Sequence, residues 1–230
     1  MKKIILFVLA ISASATIHAQ LFSIGGVDIG YLYLGPKLGM HGAWVSNTQS
    51  NFTETKVLWG YQAGVVGKFG ITQSISIQPE LLFSRKGYRQ EANTGIGETR
   101  TIANYIGIPI LGKIKVVKIG DLTLHGSGGI YTNITTSSKS TYEADQFSEE
   151  FVIDRSDYKT VDFGFSFGGG ASYELTTGII VAELTIDHGV VDMYEDNIAT
   201  ENNRNTTVGL SATYLFDIVK FGVKNEPPAE

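Results

Sequence analysis

The chain has 230 residues, with 18 Lys and Arg against 23 Asp and Glu, a formal net charge of −5, 27 glycines, 5 prolines and no cysteine. An acidic chain without a basic patch argues against a nucleic-acid partner, and the missing thiols exclude thiol catalysis and cysteine metal sites. Abundant glycine beside scarce proline fits closely packed strands better than a disordered polypeptide.

The first element is an address. Lys2 and Lys3 make a basic head, Ile4 to Ile11 an apolar run, and Ser12 to Ala19 a small-residue exit. This is the layout of a secretory signal peptide cleaved after Ala19. The apolar run is too short for a membrane-anchoring helix. Residues 1–19 are therefore set apart as a signal, and the mature chain of about 210 residues is enough for one domain. Without Lys2 and Lys3 its 16 basic and 23 acidic residues leave a net charge of −7. No later apolar run approaches the roughly 20 residues of a membrane helix.

From there the chain alternates with period two, the signature of strands with one apolar and one polar face. The first strand, from about Ile29 to Val45, puts Leu32, Leu34, Pro36, Leu38, Met40 and Trp44 opposite Lys37 and His41. After a polar stretch, Ser46 to Lys56, the second carries Val57, Trp59, Tyr61, Ala63, Val65 and Phe69 against Gln62 and Lys68. A short turn near Thr72 leads to the third, with Ile75, Ile77, Leu81 and Phe83 opposing Ser76, Gln78, Glu80 and Ser84. A long polar loop is expected over Tyr88 to Thr101. The fourth strand sets Ile106, Ile108, Ile110 and Ile114 against Tyr105, Lys113 and Lys115, and turns tightly at Gly120.

In the fifth, Leu122, Leu124, Ile130 and Ile134 oppose Thr123, His125, Tyr131 and Asn133. The longest loop is expected from Ser137 to Tyr158. The sixth places Val161, Phe163, Phe165, Phe167 and Tyr173 opposite Asp162, Ser166, Ser172 and Glu174. The seventh places Ile180, Leu184 and Ile186 opposite Glu183 and Asp187. After a loop from Val191 to Arg204, the eighth carries Val208, Leu210, Tyr214 and Phe216, with an unpaired tail expected over 217–230.

Nearly every strand charge falls on the polar face. That sorting is expected if the apolar face meets lipid, where a mid-bilayer Lys costs about 2–4 kcal/mol. Short and long connections also alternate, as short periplasmic turns and longer extracellular loops do in outer-membrane barrels. A soluble sandwich or lipocalin-like barrel would put its greasy face inward beneath a charged exterior. Here the polar face is rich in Gly, Ser and Thr, suiting a crowded lumen. The expected fold is all-β: an eight-stranded antiparallel up-and-down transmembrane β-barrel over residues 20–216, in the cell outer membrane, with both ends periplasmic.

Three segments resemble a known family. They are GPKLGMHGAWVSN (Gly35 to Asn47), GYQAGVVGKFGITQSISIQPELLFSRKGY (Gly60 to Tyr88) with its Q-P-E-L-L motif, and NYIGIPILGKIKV (Asn104 to Val116). Together they resemble the PorT-like or "porin family" small outer-membrane barrels of Bacteroidota. The chain departs from that pattern at Gly107, where an acid or amide is common, and in continuing past Phe216 to Glu230. The resemblance implies residence in the outer membrane and no single activity.

Three constellations stand out. Lys37, Lys68, Lys113 and Lys115 share the polar face with Glu80, Asp162, Glu174, Glu183 and Asp187. An eight-stranded lumen is just wide enough for side chains to fill, and buried charges need partners, so an internal ion-pair network is expected; a solute path is the alternative. Glu143, Asp145, Glu149, Glu150, Asp154 and Asp157 make the third loop acidic, with Phe147 and Phe151 among them. That suits a solvated face or a protein contact, and no spacing there matches a calcium loop. Trp44, Trp59 and Tyr61 at one end, with Phe69, Tyr173, Tyr214 and Phe216 at the other, form two aromatic girdles.

Enzyme signatures are weak: nothing assembles a nucleophile and base around His41, His125 or His188. The expectation is a non-enzymatic, monomeric structural or interaction barrel without a cofactor, its lumen filled. It would act through extracellular loops on a protein partner, as an accessory to export. The alternatives are a narrow channel for small solutes and a lipid-modifying enzyme.

Overall fold

The computed structural model describes residues 23–24, 27–28, 30–46, 53–92, 98–144, 147–151, 159–192 and 204–220. The expected signal peptide lies outside them, as do residues 221–230 of the expected tail. A two-residue ladder pairs β1 (Ser23–Ile24) with β2 (Val27–Asp28). The body is eight long strands: β3 (Tyr31–Ser46), β4 (Thr53–Gly70), β5 (Ile75–Ala92), β6 (Glu98–Ile119), β7 (Leu122–Ala144), β9 (Val161–Leu175), β10 (Gly178–Gly189) and β11 (Arg204–Lys220). Each pairs antiparallel with its neighbour in sequence. β11 returns to β3, closing the ring, while β8 (Phe147–Phe151) adds to the outer end of β7.

Closure settles which face is which. Among the described residues, 24 polar or charged side chains are buried against 12 hydrophobic ones, the reverse of a soluble core. Trp59 is 73 % exposed and Leu38 65 %, while Lys37 and Glu183, on the opposite parity, are 2 % and 1 % exposed. Such a surface is stable only in hydrocarbon, and a closed barrel leaves no unpaired edge there.

Two corrections concern strand ends. The segments expected as long loops, Tyr88–Thr101 and Ser137–Tyr158, are largely strand: β5 and β6 pair out to Glu91↔Glu98, and β6 and β7 out to Glu98↔Glu143. β-branched and hydroxyl residues keep the ladder going there. Outward side chains there, such as Arg100 and Lys139, are polar and exposed, so the apolar alternation that marks a strand in sequence has no cause to persist. Hydroxyls bridge the strands instead, as in the 2.7 Å contact between Thr101 Oγ1 and Ser140 Oγ.

The second correction is at the C-terminus, where β11 continues past Phe216 through a bulge at Asp217/Val219 to pair Lys220 with Tyr31. The resulting wall is uneven. β7 runs from His125 on to Ala144, whereas β10 stops at Gly189, soon after Glu183.

Candidate functional site

Four inward positions on four strands meet at mid-barrel. Lys37 (β3) donates from Nζ to both Glu80 carboxylate oxygens (β5) at 2.9 Å. Gln78 Nε2, two residues before, donates to Glu80 Oε1 at 2.6 Å. Across the lumen, Lys113 (β6) donates to Glu183 Oε1 (β10) at 2.5 Å. His125 Nε2 (β7) donates to the same oxygen at 3.0 Å, and Lys37 lies 3.9 Å from Glu183 Oε2. The two pairs are thereby joined into one neutral cluster of two lysines and two carboxylates. All six side chains are buried. Such a pair gives little net stability in itself, but removing one partner leaves an uncompensated buried charge costing about 3–5 kcal/mol.

A second polar layer lies nearer the loop end. Asp162 (β9) accepts from Asn133 Nδ2 at 3.1 Å and Asn205 Nδ2 at 3.3 Å, both on its Oδ2, leaving Oδ1 without a hydrogen bond. Asp187 (β10) accepts from Ser166 Oγ at 2.7 Å and Thr207 Oγ1 at 3.0 Å, with Lys86 Nζ 3.9 Å away. Lys86 also sits 5.1 Å from the Tyr131 ring centroid, close enough for a cation–π contact. His41 Nε2 donates to the Arg85 carbonyl at 3.1 Å. Tyr105, wholly buried, completes the packing.

Of the nine charges expected to form one network, Lys37, Glu80, Lys113 and Glu183 meet in the mid-barrel cluster, and Asp162 and Asp187 belong to the second layer. Lys68, Lys115 and Glu174 join neither. Glu174 is a correction: it is exposed beside the Thr176–Thr177 turn and pairs with Lys118 at 3.1 Å. Its parity is right, but at the strand end an inward side chain reaches water instead of the packed lumen. Lys115 lies over the Tyr31 ring, 5.8 Å from its centroid.

Participants absent from the expected network are Gln78 and His125 in the mid-barrel cluster and Lys86, His41, Asn133, Asn205, Ser166 and Thr207 in the second layer. All except Lys86 carry no fixed charge, and Lys86, on the inward parity, lies next to what reads as a loop.

A family model, the outer membrane protein beta-barrel domain, matches residues 18–195. The chain belongs to this outer-membrane β-barrel family. No curated protein matches it. It is similar to solved structures of other small barrels. One is Ail of Yersinia pestis, in complex with the heparin analogue sucrose octasulfate (13 % identity, 81 % of this chain and 99 % of that one, TM-score 0.40). Another is OprG of Pseudomonas aeruginosa (7 %, 81 % and 94 %, TM-score 0.42). A third is Outer Membrane Protein W of E. coli (14 %, 78 % and 97 %, TM-score 0.40).

For an outer-membrane barrel, the outer surface is its lipid contact. Trp59 and Tyr61 project from β4 toward the loop end, Tyr61 lying 6.5 Å from Phe83 between ring centroids, and Trp44 is half-buried on β3. Toward the turns, Tyr173 and Phe216 are exposed and Phe69 is half-buried. Tyr214 stacks edge-on to Phe216 at 4.7 Å and reaches Thr177 Oγ1 with its hydroxyl at 2.7 Å. Rings with one wet and one greasy side suit the two interfaces. Of the six acidic positions expected in the third loop, Glu143 is in β7 and Glu149 and Glu150 are in β8, in register with Tyr142 and Thr141. Asp145, Asp154 and Asp157 lie outside the described residues.

Proposed function

We propose that this outer-membrane barrel is a non-enzymatic interaction protein of the PorT-like kind, plugged by its own side chains, that offers its loop end to a protein partner as an accessory to export. The single observation that carries the reading is the mid-barrel cluster of Lys37, Glu80, Lys113, Glu183, Gln78 and His125, with every member buried. A lumen occupied by paired charges leaves the loop end as the surface available for contact. There the ladder β5–β6–β7–β8 stands beyond the length that crossing a membrane needs: β6 has 22 residues and β7 has 23, against about 9–11 for a spanning strand. In this reading the short turns and the chain's end face the periplasm, as in outer-membrane barrels generally.

His188 lends no support to lipid-modifying chemistry. Its Nδ1 meets Thr206 Oγ1 at 3.1 Å, while the neighbouring Asp187 turns into the lumen toward Ser166 and Thr207. Planar-bilayer recording tests the plug: the expected trace is silent, and steady ion-selective current would sink it. Incubation with outer-membrane lipid followed by mass spectrometry tests the rest, and a modified lipid that vanishes with His188→Ala would overturn the non-enzymatic reading.

A further inference from the structure

Below the plug, the barrel opens at its turn end into a vestibule of about 670 Å³ whose chemistry the loop-end reading leaves unused. Its lining includes three lysines, Lys68, Lys115 and Lys118, against the single carboxylate of Glu174, a local net charge of +2. The chain as a whole is acidic, so this basic recess stands out.

Lys68 is the informative member. It is 9 % exposed, yet among the described residues no carboxylate comes within 4 Å of it. Glu183 and Glu174 attract it from farther off, while Lys113 and Lys115 repel it. An ammonium held out of bulk water without a close counter-charge is costly, and an incoming oxyanion would relieve that cost. Thr123, on β7, also lines the vestibule, and its hydroxyl is buried without a hydrogen-bond partner. The Tyr31 ring holds Lys115 at the mouth.

Part of its wall is apolar: Tyr33 and Ile179, which line the vestibule, pack against the buried cluster of Val66, Val181 and Leu215.

We propose that this vestibule is a binding site for an oxyanion of the phosphate type, with Lys68 as its principal contact and Lys115 and Lys118 at its mouth. The proposal goes beyond the loop-end reading and does not depend on it. The group arrives on a free solute or on a lipid headgroup, and the same donors serve both.

The test uses the mature protein folded in a neutral, phosphate-free detergent. It is titrated calorimetrically with inorganic phosphate in one arm and short-chain phosphatidylglycerol in the other. Saturable one-site binding is expected, weakened about tenfold by Lys68→Gln, as loss of a charged hydrogen bond implies, and largely restored by Lys68→Arg. Binding of phosphate assigns a free solute, and binding of the lipid alone assigns the headgroup. If Lys68→Gln does not give the heat-modifiable folded band, Lys115→Gln carries the expectation of weakened binding. Saturation by neither probe, or an affinity indifferent to all these substitutions, overturns the proposal.

Discussion

Glu183→Gln isolates what the mid-barrel cluster is worth. In the folded protein, Glu183 Oε1 accepts from both Lys113 and His125, and Lys113 has no other carboxylate within 4 Å among the described residues. The amide oxygen of glutamine keeps an acceptor but removes the negative charge, leaving Lys113 as a buried cation. The expected loss is about 3 kcal/mol, the lower end for breaking a buried pair, and Glu183→Leu, which also removes the acceptor, should cost about 5 kcal/mol. Lys113→Met should cost less, about 2 kcal/mol, because Glu183 keeps His125 at 3.0 Å and Lys37 at 3.9 Å.

The double variant Lys113→Met/Glu183→Gln removes both charges together. It should fall short of the summed single costs by about 2 kcal/mol, as for residues sharing one network. Urea unfolding from lipid vesicles reads these values, followed by the folded band on unheated gels. Fluorescence of Trp44 and Trp59, the only tryptophans of the chain, gives a second signal. Strictly additive single costs would refute the cluster as a coupled unit.

Three further outcomes follow from the geometry. Leu38→Lys, outward at the middle of β3, should lose about 2–4 kcal/mol in the same assay, whereas Val116→Lys near the turn end should lose no more than about 1 kcal/mol; equal costs would contradict the assigned membrane position. On β7, a Cβ at Gly129 would meet the Ile110 carbonyl oxygen at 2.1 Å, while one at Gly126 has nothing within 4 Å. Gly129→Ala should therefore abolish or strongly weaken folding, and Gly126→Ala should stay within about 0.5 kcal/mol of the parent. Asp187→Asn removes charge from an acceptor of two hydroxyls near Lys86 and should destabilise by about 1–2 kcal/mol. Asp162→Asn, where one oxygen has no partner, should be neutral or stabilising; the opposite ranking in urea would show that the partners of the two aspartates are wrongly identified.

The barrel was legible because the bilayer imposes a strict rule. Along β4, Val57, Trp59, Tyr61 and Val65 must face lipid, so parity alone divides outside from inside. Pairing inside the lumen was less legible. Lys37 meets Glu80, and Lys113 meets Glu183 across the interior, because ring closure and the stagger of eight registers bring them to one level, and no local pattern encodes that stagger. Glu174 shares the parity of Ser172 yet sits outside the packed lumen, since parity reports direction and not depth. The outer reaches of β5, β6 and β7 were hidden for another reason. Their outward positions are polar, as at Arg100 and Lys139, while inward positions such as Thr101 and Ser140 are buried hydroxyls, so no apolar alternation marks them and Thr99, Thr101, Thr141 and Tyr142 read as loop.

The ion-pair layer also bears on the order of assembly. Lys37 and Glu80 are 43 residues apart, Lys113 and Glu183 are 70 apart, and His125 reaches Glu183 over 58. None of these contacts exists until distant strands have met, and such long-range closure is slow because loop entropy is lost before any contact repays it. Until β10 delivers Glu183, Lys113 has no close counter-charge, so a partial sheet bearing it is poorly suited to enter hydrocarbon on its own. Strand-by-strand insertion is thereby disfavoured. The arrival of one late strand sets the moment at which the whole wall becomes compatible with the membrane.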